Sequence, residues 1–411
     1  MNSEAQQIFG ARVAELRVQR GLTQKELAAA IGRTASWLSQ VERGVQPVNR
    51  LDVLSLLADG LGVPLNELRP DAPQPVESAE PAPEPNDLDQ VRLLLSGHPS
   101  LDVLMALEGP SEAPPVPELR ASVEHAWSLA HSGQFSALSA LLSSLIPDLE
   151  RAARTVDKVE RPDVHGLLAR VYQAMSAAFV RQNEADAAWL AADRAIAAAE
   201  KSGRVLEVFA GTFRLAHAFV RLKRYDQAAQ AAQSAADVLG RHIDRTGSSP
   251  ELLSLLGSMH LVLALVYARC GNRADARRET ERSRSIASQL CEDRNDFNLE
   301  FGPTNVEIQA VSVAVDLGDA GEALEVGGEL DTSALSVERQ ARLALDMGRA
   351  HVQLRRVDDA LKCFVHAEQL APEMIHSHTA ARSAIRDLML IAGRTASSEL
   401  RALARRTDAM S

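Results

Sequence analysis

Apolar residues recur with a helical period of 3.6 through the chain after Pro117, and this recurrence restricts the fold more than any other feature. The helical segments follow one another in pairs, with no period-2 pattern that would favour strands. Only 4% of the 411 residues are aromatic, whereas alanine is abundant. Alanine costs least in a helix and lets neighbouring helices approach closely. The sequence therefore predicts an all-α protein built mainly of closely packed helix pairs.

One helix pair has a specific pattern of small residues. When Gly348 is placed at position 8 of a repeat, Ala360, Phe364, Ala367 and Pro372 fall at positions 20, 24, 27 and 32. These are key positions of the tetratricopeptide repeat, a helix pair of about 34 residues, so this segment resembles that family. The small residues let the two helices close on each other, and the proline ends the second helix.

Five further segments resemble the same repeat less closely, which gives six units. Two segments fit the template through Leu215, Ala216, Phe219, Tyr225, Ala228 and Ala235, and through Leu263, Ala264, Tyr267, Gly271 and Ala276. Three weaker copies centre on 126–145, 176–195 and 311–330. Their irregular spacing indicates a divergent α-solenoid. We expect 374–391 and 397–409 to cap the stack, because a last repeat otherwise exposes its apolar face.

A proline-rich segment precedes the repeats. Residues 70–85 contain six prolines and four acidic residues. Proline lacks a backbone donor and blocks helix formation, so an extended, exposed linker is expected here. Two short helices are predicted after it, at 88–95 and 101–107, before a second helix-breaking stretch at 109–117.

The first 69 residues have the pattern of several short helices. A helix over 8–20 is followed by Thr23 and Glu26, which are spaced as a capping box that opens a second helix. Thr34 caps a third helix, Ala35 to Arg43, and a fourth carries leucines at 51, 54, 57 and 61 on one face. Short helices joined by tight turns are the helix-turn-helix layout.

The run LTQKELAAAIGRTASWLSQVERG, residues 22–44, resembles the Cro/repressor family of phage and bacterial regulators, the xenobiotic-response-element type. The resemblance implies a lambda-repressor-like domain that binds double-stranded DNA. We therefore predict a DNA-binding domain at 1–69, a linker at 70–87, a short helical connector at 88–117, and a tetratricopeptide-like repeat domain with capping helices at 118–411.

The same resemblance implies which residues contact DNA. Gln24 is expected to bind a phosphate, and Gln40 to read adenine through its amide. For Trp37 two interpretations remain: contact with the DNA edge, or packing against the second helix. The expected DNA-contacting residues are Gln24, Thr34, Ala35, Ser36, Trp37, Ser39, Gln40, Arg43, Asn49 and Arg50. Arg17 and Glu42 match a family ion pair and are given a structural role.

The net charge of −11 is unevenly distributed. Residues 1–69 hold eight basic and seven acidic residues, a net charge of +1, so the remainder carries −12. Because phosphate contacts need cations, a nearly neutral DNA-binding domain predicts modest affinity for a single copy. We therefore expect a homodimer that places two domains on DNA.

Positions that line the concave groove of tetratricopeptide stacks are rich in arginine here, with Asp316 as their single acid. The groove candidates are Arg170, Gln173, Arg181, Phe213, His217, Arg221, Arg269, Asn305, Arg342 and Arg349. An anionic small molecule or an acidic peptide is one interpretation. The other is that arginine is common on any solvent-facing helix surface.

The sequence carries none of the common catalytic motifs: it has no phosphate loop, G-x-S-x-G, H-E-x-x-H or dinucleotide fingerprint. We predict that the protein is not an enzyme and has neither a cofactor nor a metal site. His376 and His378 are interpreted as a pair of surface residues. The three cysteines are expected to be buried free thiols. With no signal peptide, and with 252–268 interpreted as a buried helix rather than a membrane span, a cytoplasmic location is expected.

The combined layout resembles peptide-responsive regulators of Gram-positive bacteria, and a class of high-GC bacterial regulators marked by FGPTNV at 301–306 and LAPE at 370–373. The leading hypothesis is a dimeric transcription regulator whose repeats sense a small molecule or peptide. The alternative is a DNA-tethered adaptor whose repeats recruit a protein partner without sensing a ligand.

Overall fold

The computed structural model describes residues 3–31, 35–45, 48, 54, 57–58, 60–63, 68, 88–96 and 113–409. Its contacts divide the chain into two units, Met1–Pro85 and Asn86–Ser411. Helices dominate the described ranges, where β-structure is limited to one isolated bridge between Arg294 and Phe301. The predicted all-α class is confirmed. The linker at 70–87 and the helix expected at 101–107 lie outside the described residues.

The first unit begins with α1 Ser3–Gln19, α2 Gln24–Ala30 and α3 Ala35–Glu42. Further along, Leu54, Leu57 and Leu61 are helical and buried. They share one apolar core with residues of the first three helices, including Val13 and Leu38. Three of the four leucines predicted on the face of a fourth helix thus lie in the core, and Leu51 lies outside the described residues.

Gly44 ends α3 in a conformation that only glycine adopts easily. Its φ is +70°, and a Cβ there would lie 2.7 Å from the Cα of Gln7 in α1. The glycine of the VERG motif therefore allows the chain to turn and lets the start of α1 pack closely against it.

The second unit opens with α4 Asp89–Ser96, which packs against the repeats. Leu88, Val91 and Leu95 are buried in the main core of this unit. Arg92 also forms ion pairs with Glu184 and Asp186. The part of the connector that is described is therefore an integral piece of the repeat unit.

Six helix pairs follow within residues 113–409, in agreement with the predicted repeat architecture. The pairs are α5 Val116–His131 with α6 Phe135–Thr155, α7 Arg161–Arg181 with α8 Ala185–Ser202, α9 Val205–Arg221 with α10 Tyr225–Thr246, α11 Pro250–Arg269 with α12 Arg273–Leu290, α13 Pro303–Leu317 with α14 Ala320–Gly328, and α15 Val337–Gln353 with α16 Val357–Leu370. The tail forms α17 Pro372–Ser377, α18 Thr379–Ala392 and α19 Ser398–Arg406.

The last pair shows why its small residues are needed. Ala360, Phe364 and Ala367 have no exposed surface. A Cβ placed on Gly348 would overlap the ring of Phe364. The glycine in α15 thus lets the ring on α16 lie directly on its backbone, as the repeat pattern predicts.

The repeats curve until the last meets the first. Residues of α5 and α6, such as Trp127 and Leu138, share one core with Met374, Ile385 and Leu400 of the tail. The tail therefore covers the last repeat and the first one at the same time, which closes the second unit on itself.

Helix α11, Pro250–Arg269, is long and apolar enough to span a membrane by length and composition, with a mean hydropathy of 1.7 over its most apolar window. However, 78% of that window is buried against other helices of the unit. We interpret it as the core helix of the fourth repeat.

One expectation about local structure was wrong. Cys270 and Cys291 are exposed, because both lie just past the ends of helices, at α11 and α12, where the chain turns at the surface. The tail segment 374–391 contains the end of α17 and most of α18, with His378 in extended angles between them.

Candidate functional site

Helix α3 presents a polar face away from the core of the first unit. Leu38 and Val41 are buried, whereas Ala35 and Ser36 are exposed. Gln40, one turn further along, is partly exposed, as is Ser39. The amphipathic pattern of α3 therefore leaves small and amide side chains as its accessible surface, which suits close approach to another molecule.

Other residues expected at this surface are placed differently. Trp37 is partly buried and packs against the apolar core of this unit. Arg43 is exposed, and its Nε donates to the carbonyl of Ser39 at 3.2 Å. Thr34, Asn49 and Arg50 lie outside the described residues.

A network of side chains aligns α3 with the two preceding helices. Arg17 donates to Glu42 from Nε at 2.6 Å and from Nη2 at 3.0 Å, and also to the carbonyl of Leu22 at 2.8 Å. The hydrogen bonds to Glu42 raise the pKa of Arg17. The Nε2 of Gln24 donates to the same carboxylate at 2.6 Å. Gln24, expected to bind phosphate, thus has its amide directed toward Glu42.

The start of α2 is capped as the spacing predicts. The backbone N–H of Thr23 donates to the Glu26 carboxylate at 2.8 Å, and the N–H of Glu26 donates to the Thr23 hydroxyl at 3.2 Å. The Thr23 N–H and the Thr23 hydroxyl both donate to the Glu26 carboxylate, and these two hydrogen bonds lower the pKa of Glu26. A reciprocal cap of this kind fixes where the second helix begins.

Comparison with known families agrees with this arrangement. Residues 8–70 match the family described as a helix-turn-helix domain. The N-terminal unit is a helix-turn-helix domain. In the helix-turn-helix domain, α2 and α3 are the two helices of the motif, and the network on Glu42 sets the angle between them.

Two solved structures are similar to the chain at low identity. The crystal structure of Bacillus thuringiensis PlcR in complex with the peptide PapR7 and DNA is 13% identical, with 90% of this chain and 96% of that chain covered and a TM-score of 0.28. The apo form of the competence regulator ComR from Streptococcus vestibularis is 15% identical, with 76% and 98% covered and a TM-score of 0.22. A comparison with curated proteins gave no significant match.

A second candidate site lies inside the curve of the repeats, where a cavity of about 90 Å³ is lined by both polar and apolar side chains, several of them arginines. Seven of the ten predicted groove residues line it: Arg181, Phe213, His217, Arg221, Arg269, Asn305 and Arg342. The repeat positions chosen from the sequence therefore identify residues that mostly line one cavity.

The other three predicted residues are engaged elsewhere. Arg170 pairs with Glu124 at 2.7 Å, and Gln173 donates to Glu207 at 3.0 Å. Arg349 lies behind the cavity wall, where it bridges Asp316 and Asp346 in the same charged cluster.

The cavity is less purely cationic than the sequence suggested. Glu338 lines it and pairs with Arg181 at 3.1 Å. Behind the lining, Glu300 pairs with Arg339 at 3.3 Å. Glu338 keeps a lowered pKa despite its burial, because Arg181 and Arg339 lie beside it. The expectation of Asp316 as the single acid was therefore wrong, since it considered only five positions of each first helix.

Arg214 is a lining residue that sequence reasoning missed. It is 6% exposed and lies over the rings of Trp127 and Phe213, each with its guanidinium carbon 5.2 Å from the ring centroid. Its Nη2 donates to the carbonyl of Asn298 at 2.7 Å. Burial, with Arg181 and Arg339 nearby, lowers the pKa of Arg214 to about 9.

Arg221 lies at the other end of the cavity, against the tail. Its Nη2 is 3.3 Å from the Nε2 of His378, which is 4% exposed. The interpretation of His378 as a surface residue was wrong, because the tail folds back onto the repeats. Burial lowers the pKa of Arg221 to about 9, with Arg342 and Arg269 adding to the effect.

Proposed function

We propose that this protein is a sequence-specific transcription regulator that binds double-stranded DNA through its helix-turn-helix domain. The supporting observation is the polar outer face of α3, which carries Ser36, Ser39 and Gln40. The network of Arg17, Gln24 and Glu42 fixes this face relative to α2. The first residues of such a helix reach base edges in the major groove, and a glutamine amide pairs with adenine.

Two copies are needed for useful affinity. The helix-turn-helix domain has a net charge near zero, and its outer face carries short side chains at Ala35 and Ser36. Domains of this kind bind half-sites about 34 Å apart as dimers. We assign dimerisation to the repeat unit and place the protein in the cytoplasm, with its DNA.

The repeat unit acts as the sensor in this proposal. It contains a cavity into which several partly buried arginines face, a feature that a purely structural scaffold does not require. A ligand that enters the cavity changes the contacts between repeats, and through them the placement of the two DNA-binding domains.

Genome-wide mapping of bound sites, followed by binding assays on the recovered operator, tests the DNA-binding role. Gln40→Ala is expected to cost about 1–3 kcal/mol of binding free energy on the operator and less on random DNA. Gln19→Ala, an identical change on the exposed surface of α1, serves as the control. Equal losses on operator and random DNA would remove Gln40 from base recognition.

The sensing role has its own test. Operator affinity is measured with and without fractionated cell extract containing small molecules and peptides. An adaptor that senses no ligand is indicated if no fraction changes the affinity while one protein co-purifies in fixed proportion with the repeats.

A further inference from the structure

The interior of the repeat unit holds more positive than negative charge. Seven guanidinium groups surround the cavity or contact its wall: Arg181, Arg214, Arg221, Arg269, Arg339, Arg342 and Arg349. Four carboxylates lie among them: Glu300, Glu338, Asp316 and Asp346. The cluster therefore has three positive charges in excess. Charge held away from water is costly unless it is balanced.

Two of the three excess charges lie on residues that have no carboxylate partner among the described side chains. Within the described residues, no carboxylate oxygen lies within 4.0 Å of the guanidinium nitrogens of Arg214 or Arg221. The other arginines have partners, such as Asp316 for Arg269 at 3.2 Å and Asp346 for Arg342 at 3.0 Å. Arg214 and Arg221 contact a carbonyl, aromatic rings and an imidazole instead.

Hydrogen-bonding capacity is also left over at the same place. The Nε of Arg214 and the Nη1 of Arg181 are buried without a hydrogen-bond partner in the described part of the chain. Both side chains line the cavity. Two acceptors at the same cavity, the Oδ1 of Asn305 and the Oε2 of Glu338, are likewise buried without a hydrogen-bond partner among the residues described. Buried polar groups are nearly always satisfied in folded proteins, so these atoms indicate a missing polar group, in which the two guanidinium donors require acceptor oxygens.

The size of the space restricts what that acceptor is. Sites for drug-sized ligands occupy about 300–1,000 Å³, whereas this cavity has about 90 Å³. It accommodates a group of a few heavy atoms. Guanidinium groups bind phosphate and carboxylate oxygens through paired N–H donors, so an oxyanion matches both the charge and the donors.

We propose that the cavity between Arg214 and Arg221 is a binding site for a small, multiply charged oxyanion, the chemistry shared by inorganic phosphate and the phosphoryl group of a metabolite. The excess of three charges favours a dianion over a single carboxylate. This site deepens the proposed function, because it gives the sensor a ligand class. Binding itself does not depend on that function.

Calorimetric titration and thermal unfolding of the full chain test the site. The probes are sodium phosphate and glycerol 3-phosphate, with glycerol, sodium succinate and sodium chloride at matched ionic strength as references. The phosphate compounds are expected to bind and to raise the Tm of the repeat unit. Binding of both probes indicates free phosphate as a sufficient ligand, and binding of glycerol 3-phosphate alone indicates a phosphorylated metabolite.

The variants Arg214→Gln and Arg221→Gln are each expected to weaken this binding at least tenfold. Neither is expected to lower the Tm of the ligand-free protein much, because each removes an unbalanced charge. Arg241→Gln removes the same charge from an exposed position on α10 and is the control. The two cavity variants are independent, so misfolding of one leaves the other as the test.

The proposal is overturned if no phosphate compound binds more tightly than chloride, if succinate binds equally well, or if Arg241→Gln weakens binding as much as the cavity variants. Operator affinity, measured on the same samples, separates the two proposals. If the oxyanion binds without changing operator affinity, the binding site is supported and the sensing role of the repeats is contradicted. If the protein binds the operator but no oxyanion, the proposed regulator function is supported and the oxyanion site is contradicted.

Discussion

The carboxylate of Glu373 accepts a hydrogen bond of 2.6 Å from the backbone N–H of Phe135, a residue 238 positions earlier in the chain. The N–H of Ser136 donates to the same oxygen at 3.2 Å. Glu373 at the start of the tail thus caps the N-terminus of α6 in the first repeat. An acidic side chain is favourable there, because the first N–H groups of a helix lack partners within the helix.

Replacing this cap is expected to loosen the closure of the repeats. Glu373→Ala removes two hydrogen bonds to a charged acceptor, and we expect a loss of about 1–2 kcal/mol in the free energy of unfolding. Hydrogen exchange should rise at Phe135 and Ser136 and in the tail helices together. Glu325→Ala, an exposed residue of α14, is the control. Faster exchange confined to the start of α6 would show that the contact does not hold the two ends together.

Packing of the sixth repeat is tested by a pair of glycine substitutions. Gly348→Ala places a methyl group against the Phe364 ring and is expected to lower the free energy of unfolding by about 1–3 kcal/mol. Gly240→Ala, within α10, meets no atom within 4 Å and is expected to stabilise by about 0.5–1 kcal/mol. Thermal unfolding of both variants measures the difference, and equal Tm values would contradict the close contact.

The pair of Arg17 and Glu42 is expected to behave as a buried ion pair. Arg17→Ala leaves a carboxylate with only 6% side-chain exposure, so we expect about 3 kcal/mol of destabilisation. The double variant Arg17→Met with Glu42→Leu should lose less than the two single variants combined. Hydrogen exchange over 3–45 follows the domain within the full chain. The exposed pair of Arg12 and Glu15 is the comparison, for which Arg12→Ala should cost below about 1 kcal/mol.

Acid is expected to destabilise the repeat unit through His131. Burial lowers the pKa of His131 to about 4, against an ordinary value of 6.5. Between these values the unfolded imidazole takes up a proton that the folded one does not. Stability is therefore full above pH 6.5 and is lost as pH falls toward 4, with about 2 kcal/mol gone by pH 5.

Urea unfolding at pH 7 and pH 5 measures this loss. His131→Gln should reduce the drop in the unfolding midpoint, although burial also lowers the pKa values of His217 and His378, which contribute in the same direction. His366→Gln, the same change at an exposed position of α16, is the control. An identical drop in the wild-type protein and in His131→Gln would exclude His131 as a source.

Local features of the fold could be predicted from the sequence because they depend on nearby residues. Thr23 and Glu26, which form the capping box, are one helical turn apart in the chain. Gly348 and Phe364 are in contact between the two helices of a single pair. Within such distances, the period of the helix determines which side chains meet. The class of the fold and the six repeats follow from those local rules.

Contacts across the interior could not be predicted in the same way. His378 meets Arg221 over 157 positions, and this depends on how much each of several repeats turns relative to the next. The connection between α12 and α13 is a second case. Phe297, Asn298 and Glu300 have positive φ there, and this irregular backbone brings the Asn298 carbonyl to Arg214. Neither the turn per repeat nor such a backbone follows from apolar periodicity.

Closure of the repeat unit also restricts how this protein can vary. An open array of helix pairs accepts the gain or loss of a unit, because each unit contacts only its neighbours. Here, one repeat more or fewer would rotate the tail away from α6 and expose the cores of both ends. We therefore expect the number of repeats in functional variants of this chain to be fixed, while insertions are accepted at the exposed turns, such as those that contain Cys270 and Cys291.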